Sequence, residues 1–128
     1  GCSKPILLDR PVKVSQDDFE KTVLQSDVPV LVDFYADWCA PCKMMIAQVF
    51  PDEKVKAALK DMVPVYIDSE EEVDRATENG IKAYPTFVCF SPDGTAVTTR
   101  VGGGDVPKFL EMIETFKLAA DATKVLDK

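Results

Sequence analysis

The sequence contains no histidine, and this absence excludes several kinds of functional site. Without an imidazole side chain there can be no Cys-His nucleophilic pair and no zinc site that uses histidine ligands. A c-type haem attachment is also excluded, because Lys43 stands where histidine would follow the second cysteine of a Cys-x-x-Cys pair. The chemistry of this chain must therefore rest on other side chains.

Clustered basic residues and long apolar runs are also missing. The chain has 15 basic and 22 acidic residues, a formal charge of −7, and its Lys and Arg residues are scattered. Binding to nucleic acid needs clustered positive charge for the phosphates, so we expect no nucleic-acid partner. No apolar run approaches the roughly 18 residues of a membrane-spanning helix. With 128 residues and 46% hydrophobic content, the chain suits one compact, soluble domain.

The chain begins with "GCSK" rather than with methionine. This stretch resembles the junction of a bacterial lipoprotein, in which a small residue precedes the cysteine that becomes lipidated. Cys2 is therefore a lipidation candidate, and the alternative is an ordinary exposed thiol in a disordered tail. A preceding hydrophobic segment would decide between the two, and the sequence does not include one. We assign residues 1–10 to an N-terminal tail or tether and residues 11–128 to a single domain with an extended C-terminal helix.

Predicted strands and helices alternate along the chain. Runs rich in β-branched and aromatic residues predict strands over 11–14, 28–36, 62–68, 86–91 and 95–101. Apolar residues at helical spacing predict helices over 15–26, 42–59 with an interruption at Pro51, 70–80 and 106–128. This order predicts a parallel core with right-handed crossovers, and the last two strands predict an antiparallel hairpin beside it.

The stretch "DFYADWCAPCKMM" places Cys39 and Cys42 two residues apart with Pro41 between them. The pair could be a structural disulfide, a metal clip or a redox couple. A structural disulfide stabilises little when its loop is this short. A closed metal site needs four ligands, so Cys89 would have to join from a predicted buried strand. These arguments favour a redox couple and leave the other two interpretations open.

Several motifs in order give the chain a family resemblance. "LVDFYADWCAPCK", then "YPT", a hairpin and a glycine-rich turn resemble the thioredoxin family over roughly residues 11–118. The continuation "ADWCAPCKMMIAQVFPDEKVKAAL" is more similar to the periplasmic thioredoxin-like domain of the transmembrane disulfide reductase DsbD. The resemblance implies an α/β thioredoxin fold, in which helices flank a central mixed β-sheet with a parallel core and an antiparallel C-terminal hairpin.

The chemistry of a Cys-x-x-Cys pair at the start of a helix assigns a role to each sulfur. Backbone N–H groups and the helix dipole stabilise a thiolate there, so we expect Cys39 to be the nucleophile and Cys42 the resolving cysteine. Burial in a strand would raise the pKa of Asp33, and the resemblance implies that this carboxylate takes the proton of the resolving thiol. The alternative is an aspartate that reaches solvent at a strand end. The lysine that accompanies this aspartate in thioredoxin is replaced by Pro64 or a neighbour.

The resemblance also implies a substrate groove beside the sulfurs. Pro85 is similar to the family's cis-proline, and Tyr84 would offer its backbone to an extended substrate. The candidate substrate-binding residues are Trp38, Ala40, Pro41, Tyr84, Pro85, Gly102 and Gly103. Two alternatives stay open: Trp38 could be a packing residue, and the glycines could form only a flexible turn.

Two departures from the family pattern and three further residues complete the set. Ala40 replaces the usual glycine between the cysteines, where residues tune the redox potential, and Tyr35 stands where cytosolic thioredoxins usually carry tryptophan. Cys89 is expected to be an inert core residue. Met44 and Met45 are expected to pack within their helix.

The predicted function is thiol-disulfide oxidoreductase, with reduction of partner protein disulfides through the Cys39–Cys42 dithiol as the expected direction. No cofactor or metal is expected beyond that redox-active disulfide. We expect a monomer that takes electrons from a membrane or soluble donor. If Cys2 is lipidated, we expect the protein to work outside the cytoplasm, in the periplasm, with that lipid as its only membrane contact. The alternative within the same function class is a cytosolic thioredoxin. The second class is a non-enzymatic metal-binding or chaperone module with the same fold.

Overall fold

A computed structural model describes residues 12–126 as a five-stranded mixed sheet with helices on both faces. The strands are β1 Val12–Lys13, β2 Val30–Tyr35, β3 Val63–Asp68, β4 Thr86–Phe90 and β5 Ala96–Val101. They lie in the order β1-β3-β2-β4-β5. The first three in this order are parallel, and β4 and β5 add antiparallel pairing. The predicted parallel core with an antiparallel C-terminal hairpin is confirmed.

Five α-helices connect or follow the strands. They are α1 Gln16–Gln25, α2 Ala40–Met44, α3 Glu53–Ala58, α4 Val73–Glu78 and α5 Val106–Leu126. A π-helical turn, Met45–Val49, continues α2, and a 3-10 turn, Leu59–Asp61, follows α3. The predicted interruption of the helix after the cysteines is confirmed. The carboxylate of Asp52 accepts the backbone N–H groups of Lys54 and Val55 at 2.8 and 3.3 Å, which starts α3 as a new helix.

Helix α4 begins three residues later than predicted. The carboxylate of Asp68 accepts the N–H of Glu70 at 2.9 Å, and its carbonyl accepts the N–H groups of Glu71 and Glu72. These bonds hold residues 69–72 in turns, so the helix starts only at Val73. The acidic run that we assigned to the helix is therefore mostly a loop.

Strand β2 is buried along its whole length and separates two apolar clusters. Val32 and Phe34 point into the cluster that includes Phe19 of α1, whereas Leu31 points into the cluster that includes Phe116 of α5. Because side chains alternate along a strand, Asp33 shares the face of Leu31. This is also the face that packs against Met45, directly after α2.

The ends of the described chain bear on two predictions. Cys2 and the assigned tail lie outside the described residues, so the domain boundary stays a prediction. Helix α5 starts at Val106, where the carboxylate of Asp105 accepts the N–H of Lys108 at 3.1 Å, and it continues to Leu126. None of the helices described here is both long enough and apolar enough to cross a bilayer.

Candidate active site

Cys39 and Cys42 form a disulfide at the beginning of α2. Cys39 is the N-cap residue, and its Sγ accepts the backbone N–H of Cys42 at 3.2 Å. Pro41 lies in the first turn, where its missing N–H leaves no hydrogen bond unmade. Cys39 keeps 3% of its surface exposed, whereas Cys42 has 0%. The geometry thus gives Cys39 a sulfur that accepts a backbone N–H, and slightly more exposed surface than Cys42 has.

Asp33 is buried in the middle of β2, with 1% of its surface exposed. Neither carboxylate oxygen has a hydrogen-bond partner within residues 12–126. Burial raises the pKa of Asp33 from its ordinary 3.8 to about 8. This excludes the alternative of a solvent-exposed aspartate and leaves a carboxyl group that can change protonation state near neutral pH.

Two tyrosines lie close to Asp33 on the same side of the sheet. Tyr66 is opposite Asp33 in the parallel register of β2 and β3, and Pro64 is opposite Leu31. The rings of Tyr35 and Tyr66 meet edge to face with centroids 5.0 Å apart. Burial raises the pKa of Tyr35 to about 12. Tyr66 is thus the β3 residue opposite Asp33, and its neighbours on this face are Pro64 and Asp68, none of them basic.

Pro85 and Trp38 shape the surface next to the cysteine pair. The Tyr84–Pro85 peptide bond is cis, as the family resemblance implied. The ring of Tyr84 packs against the cluster that contains both cysteines, and it meets the Trp38 ring edge to face at 5.7 Å. Trp38 is 66% exposed, so it is not a core residue. Trp38 and Tyr84 therefore form an aromatic surface beside the disulfide.

The glycine-rich turn reaches both Pro85 and the cysteine loop. The N–H of Gly102 donates to the carbonyl of Pro85 at 2.8 Å, and Gly102 has a φ of +100°. A Cβ added to Gly103 would lie 3.6 Å from Met45 Sδ and 3.7 Å from Pro41 Cβ. The turn is thus fixed against its neighbours. The structure brings together every predicted groove residue, although their roles in binding stay predictions.

The sequence predicted the burial of some of the remaining residues better than that of others. Ala40 is exposed beside the cysteines. Met45 is fully buried as expected, but Met44 is 42% exposed, because it lies on the outward face of α2. Cys89 is fully buried on β4, and burial raises the pKa of its thiol to about 12, which confirms it as an inert core residue.

Arg100 and Lys108 are residues that sequence reasoning did not single out. Both line a small pocket with the three glycines that follow Val101, and Met45 forms its wall towards the cysteine helix. The signal in the sequence was the stretch "RVGGGDVPK", in which two basic residues flank a turn. Elsewhere in residues 12–126, no three acidic or cysteine side chains are grouped to hold a metal ion.

Comparisons with known proteins agree with this geometry. Residues 10–115 match the thioredoxin family. A thioredoxin of Rickettsia prowazekii is 37% identical over 90 residues, which cover 70% of this chain and 82% of that protein. Thioredoxin 1 of Synechococcus elongatus is 39% identical over 95 residues, covering 74% and 84%. The structure of thioredoxin f from spinach chloroplast superposes with a TM-score of 0.72 at 28% identity, covering 86% of this chain and 88% of that one.

The family match over residues 10–115 spans the sheet, the cysteine pair and the glycine-rich turn. The likeness to the DsbD domain stays a prediction, since the relatives just described are thioredoxins. Thioredoxins are thiol-disulfide oxidoreductases that work through a redox-active disulfide without a bound cofactor, and the Cys39–Cys42 disulfide supplies that group here. The chain belongs to the thioredoxin family.

Proposed function

We propose that this protein reduces disulfide bonds in partner proteins, with the Cys39–Cys42 dithiol as the reductant. The observation that carries the proposal is the arrangement of the pair at the start of α2, where Cys39 keeps some exposed surface and Cys42 is fully buried one turn later. Cys39 is therefore the residue that a large partner meets first in this proposal. This asymmetry suits a two-step exchange.

In the first step the thiolate of Cys39 attacks one sulfur of the partner's disulfide. The partner's S–S bond breaks, a mixed disulfide with Cys39 forms, and the other partner sulfur leaves as a thiolate that takes a proton from water. The N–H of Cys42, which donates to Cys39 Sγ at 3.2 Å, and the positive end of the helix stabilise the attacking thiolate.

In the second step Cys42 attacks Cys39 Sγ and breaks the mixed disulfide. The thiol of Cys42 gives its proton to the carboxylate of Asp33, and the second partner sulfur leaves as a thiolate that is protonated by water. Two electrons have then passed to the partner, which gains two thiols, while the Cys39–Cys42 disulfide is formed. A carboxyl group with a pKa of about 8 holds a proton firmly once it has accepted it, and the share of molecules ready to accept one rises as the pH approaches 8.

The partner segment is held in an extended form beside the disulfide. The cis bond before Pro85, the exposed Trp38 ring and Gly102, which is hydrogen-bonded to Pro85, border this groove. Main-chain hydrogen bonds to the backbone of Tyr84 tolerate many sequences, because every peptide segment carries the same groups. This arrangement suits a reductase with several partners.

Trapping of the mixed disulfide tests the proposal. Reduced Cys42→Ser should form a stable adduct with a disulfide-bonded peptide, because nothing remains to displace the peptide from Cys39. Mass spectrometry should place the peptide on Cys39, and Cys39→Ser should form no adduct. Cys89→Ser is the matched control and should turn over like the wild type, since its thiol is fully buried in a different cluster from the pair. An adduct on Cys42, or turnover by Cys39→Ser, would overturn the assignment.

The redox potential tests the direction of transfer. Equilibration of the pair in dithiothreitol or glutathione buffers, in a Cys2→Ser, Cys89→Ser background, should give a midpoint near the roughly −270 mV typical of thioredoxin. A midpoint near about −120 mV would instead identify an oxidant that donates disulfides.

We also propose that the protein works outside the cytoplasm, held at a membrane through a lipid on Cys2 and recharged by a membrane electron donor. The stretch "GCSK" supports this proposal, as does the likeness of residues 36–59 to the DsbD domain. Expression in a bacterial host together with any upstream coding sequence, followed by fatty-acid labelling, tests it. Label that persists in Cys2→Ala would place the lipid on another residue, and no label in the wild type would favour the cytosolic variant.

A further inference from the structure

Arg100 and Lys108 place two positive charges beside the glycine-rich turn of a protein whose net charge is −7. Arg100 lies on β5 opposite Phe87, so both residues share the face of the sheet that α5 covers. Lys108 lies in the first turn of α5. The two cations come from different elements and line the same small pocket.

The turn fixes the position of Lys108. A Cβ added to Gly104 would lie 3.0 Å from Lys108 Cβ and 3.2 Å from its Cδ, so the aliphatic part of the lysine packs directly on the glycine backbone. A side chain at position 104 would push the lysine away by a few tenths of an ångström. Lys108 therefore lines the pocket with its aliphatic part against Gly104.

Neither cation is neutralised by a carboxylate. Within the described chain, neither the Arg100 nor the Lys108 side chain lies within ion-pair distance of an Asp or Glu. The nearest acidic residue in sequence is Asp105, and its carboxylate accepts the backbone N–H of Lys108. The pocket wall between the cations is apolar, formed by Phe87 and Phe109. An anionic group seated here would therefore meet two unpaired positive charges.

The pocket adjoins the reacting pair. Gly103 packs against Pro41, which lies between the two cysteines, and Gly102 is bonded to the carbonyl of Pro85. A peptide that extends past Pro85 towards Gly102 would therefore bring its next side chains to Arg100 and Lys108. We propose that Arg100 and Lys108 form a subsite for a Glu or Asp side chain that lies near the reacting disulfide of the partner protein. The inference rests on the proposed function and specifies its substrate class.

Competition among matched peptides tests this subsite. Three disulfide-bonded peptides would carry Glu, Gln or Lys at the positions flanking their cysteines, and kcat/KM for reduction would be measured with each. Exposed ion pairs contribute modestly, so we expect a preference of about fivefold for the Glu over the Gln peptide, and a lower value for the Lys peptide. The preference should shrink as salt is added, because exposed charges are screened.

Variants assign the preference to these two residues. In Arg100→Gln, Lys108→Gln the Glu-to-Gln ratio should fall close to one. In Gly104→Ala both charges remain but Lys108 is displaced, so the ratio should fall part of the way. The matched control is Lys54→Gln, Lys60→Gln, which removes two exposed cations from α3 and the turn after it and should keep the wild-type ratio.

The outcomes separate this inference from the proposed function. If the wild type reduces none of the peptides, the proposed function fails. If it reduces all three equally well, or if the Arg100 and Lys108 variant keeps the preference, the subsite is wrong and the reductase stands. Loss of the preference in the Lys54 and Lys60 control would show a general effect of net charge and would also overturn the subsite.

Discussion

The burial of Asp33 determines what this carboxyl group can do. Its two oxygens have no hydrogen-bond partner in the described part of the chain, and the tyrosine opposite it in β3 offers no opposing charge. The pKa of Asp33 is therefore raised to about 8, and the protonated form is favoured below that pH. A carboxyl group in this state is mostly protonated at neutral pH and becomes a proton acceptor as the pH rises.

Asp33→Asn should slow the second step of the exchange. The amide cannot take the proton of Cys42, so we expect release of the peptide from its mixed disulfide with Cys39 to slow by about 10- to 100-fold. In the wild type the rate should rise with pH through about 8, as Asp33 ionises, and the variant should lack that rise. Stopped-flow measurement of peptide release from pH 6 to 9 checks this. An unchanged profile in the variant would assign the proton to another acceptor.

At the scale of single residues, the sequence predicted the surroundings of Cys39 and Asp33 better than it predicted which side chains are exposed. The place of Cys39 at the start of a helix followed from the spacing of the pair, and the raised pKa of Asp33 followed from a charged residue within an apolar strand. The roles of both residues in the exchange stay predictions, and that of Asp33 came from the family resemblance. The exposure of Met44 and the position of Lys108 did not follow, since each depends on which face of a helix meets the rest of the fold. Such facts are set by packing between distant segments.

At the scale of elements, the glycine-rich turn holds two glycines with different requirements. Gly102 has a φ of +100°, a conformation that is strained for any residue with a Cβ, although no atom lies within 4 Å of the added carbon. Gly103 has no such φ, and its added Cβ would make only ordinary contacts. Two adjacent glycine-to-alanine changes therefore separate backbone strain from crowding.

Gly102→Ala should destabilise the protein by about 1 kcal/mol or more, whereas Gly103→Ala should be close to neutral. The strain in Gly102→Ala would also disturb the 2.8 Å bond from Gly102 to Pro85, so kcat/KM for a peptide disulfide should fall. Urea unfolding and peptide reduction check both effects. Equal losses in the two variants would mean that the turn tolerates no side chain for a reason other than φ.

Asp52→Ala should remove the cap that starts α3 as a separate helix. The carboxylate accepts two backbone N–H groups there, and loss of such a cap costs about 1 kcal/mol. Urea unfolding should show this loss, with Asp27→Ala, at an exposed position outside the helices, as the matched control. If both variants unfold alike, the helix after the π-helical turn does not depend on its cap.

At the scale of the whole molecule, the order of elements was predicted and some boundaries were not. Alternation of apolar strands with helices was enough to predict the parallel core, because such strands need helices on both faces. The start of α4 was wrong because Asp68 accepts hydrogen bonds from the backbone of residues 70–72 and holds them in turns. No local sequence pattern predicted those hydrogen bonds. The pocket at Arg100 was missed because it forms only when β5 and α5 come together.

Global stability should depend on pH through Asp33. The folded protein holds a proton on this residue up to about pH 8, whereas the unfolded chain releases it near the ordinary value of 3.8. Between these values the folded state binds more protons, so the free energy of unfolding should fall as the pH rises from about 4 to about 8. At about 1.4 kcal/mol for each unit of pKa, a rise from 3.8 to about 8 sets an upper limit of about 6 kcal/mol on that loss.

Urea unfolding of the oxidised protein at pH 5 and at pH 8.5 checks this dependence, with Asp33→Asn to isolate it. The amide cannot ionise, so the variant should lose much less stability over the same interval and should be the more stable protein at pH 8.5. Asp27→Asn changes an exposed aspartate in the same way and should keep the wild-type dependence. If Asp33→Asn keeps the wild-type pH dependence as well, Asp33 does not contribute to it and its pKa is not raised on folding. Water would then reach the carboxylate in the folded protein. The proton acceptor of the second step would then be an ordinary ionised aspartate, present throughout the neutral range.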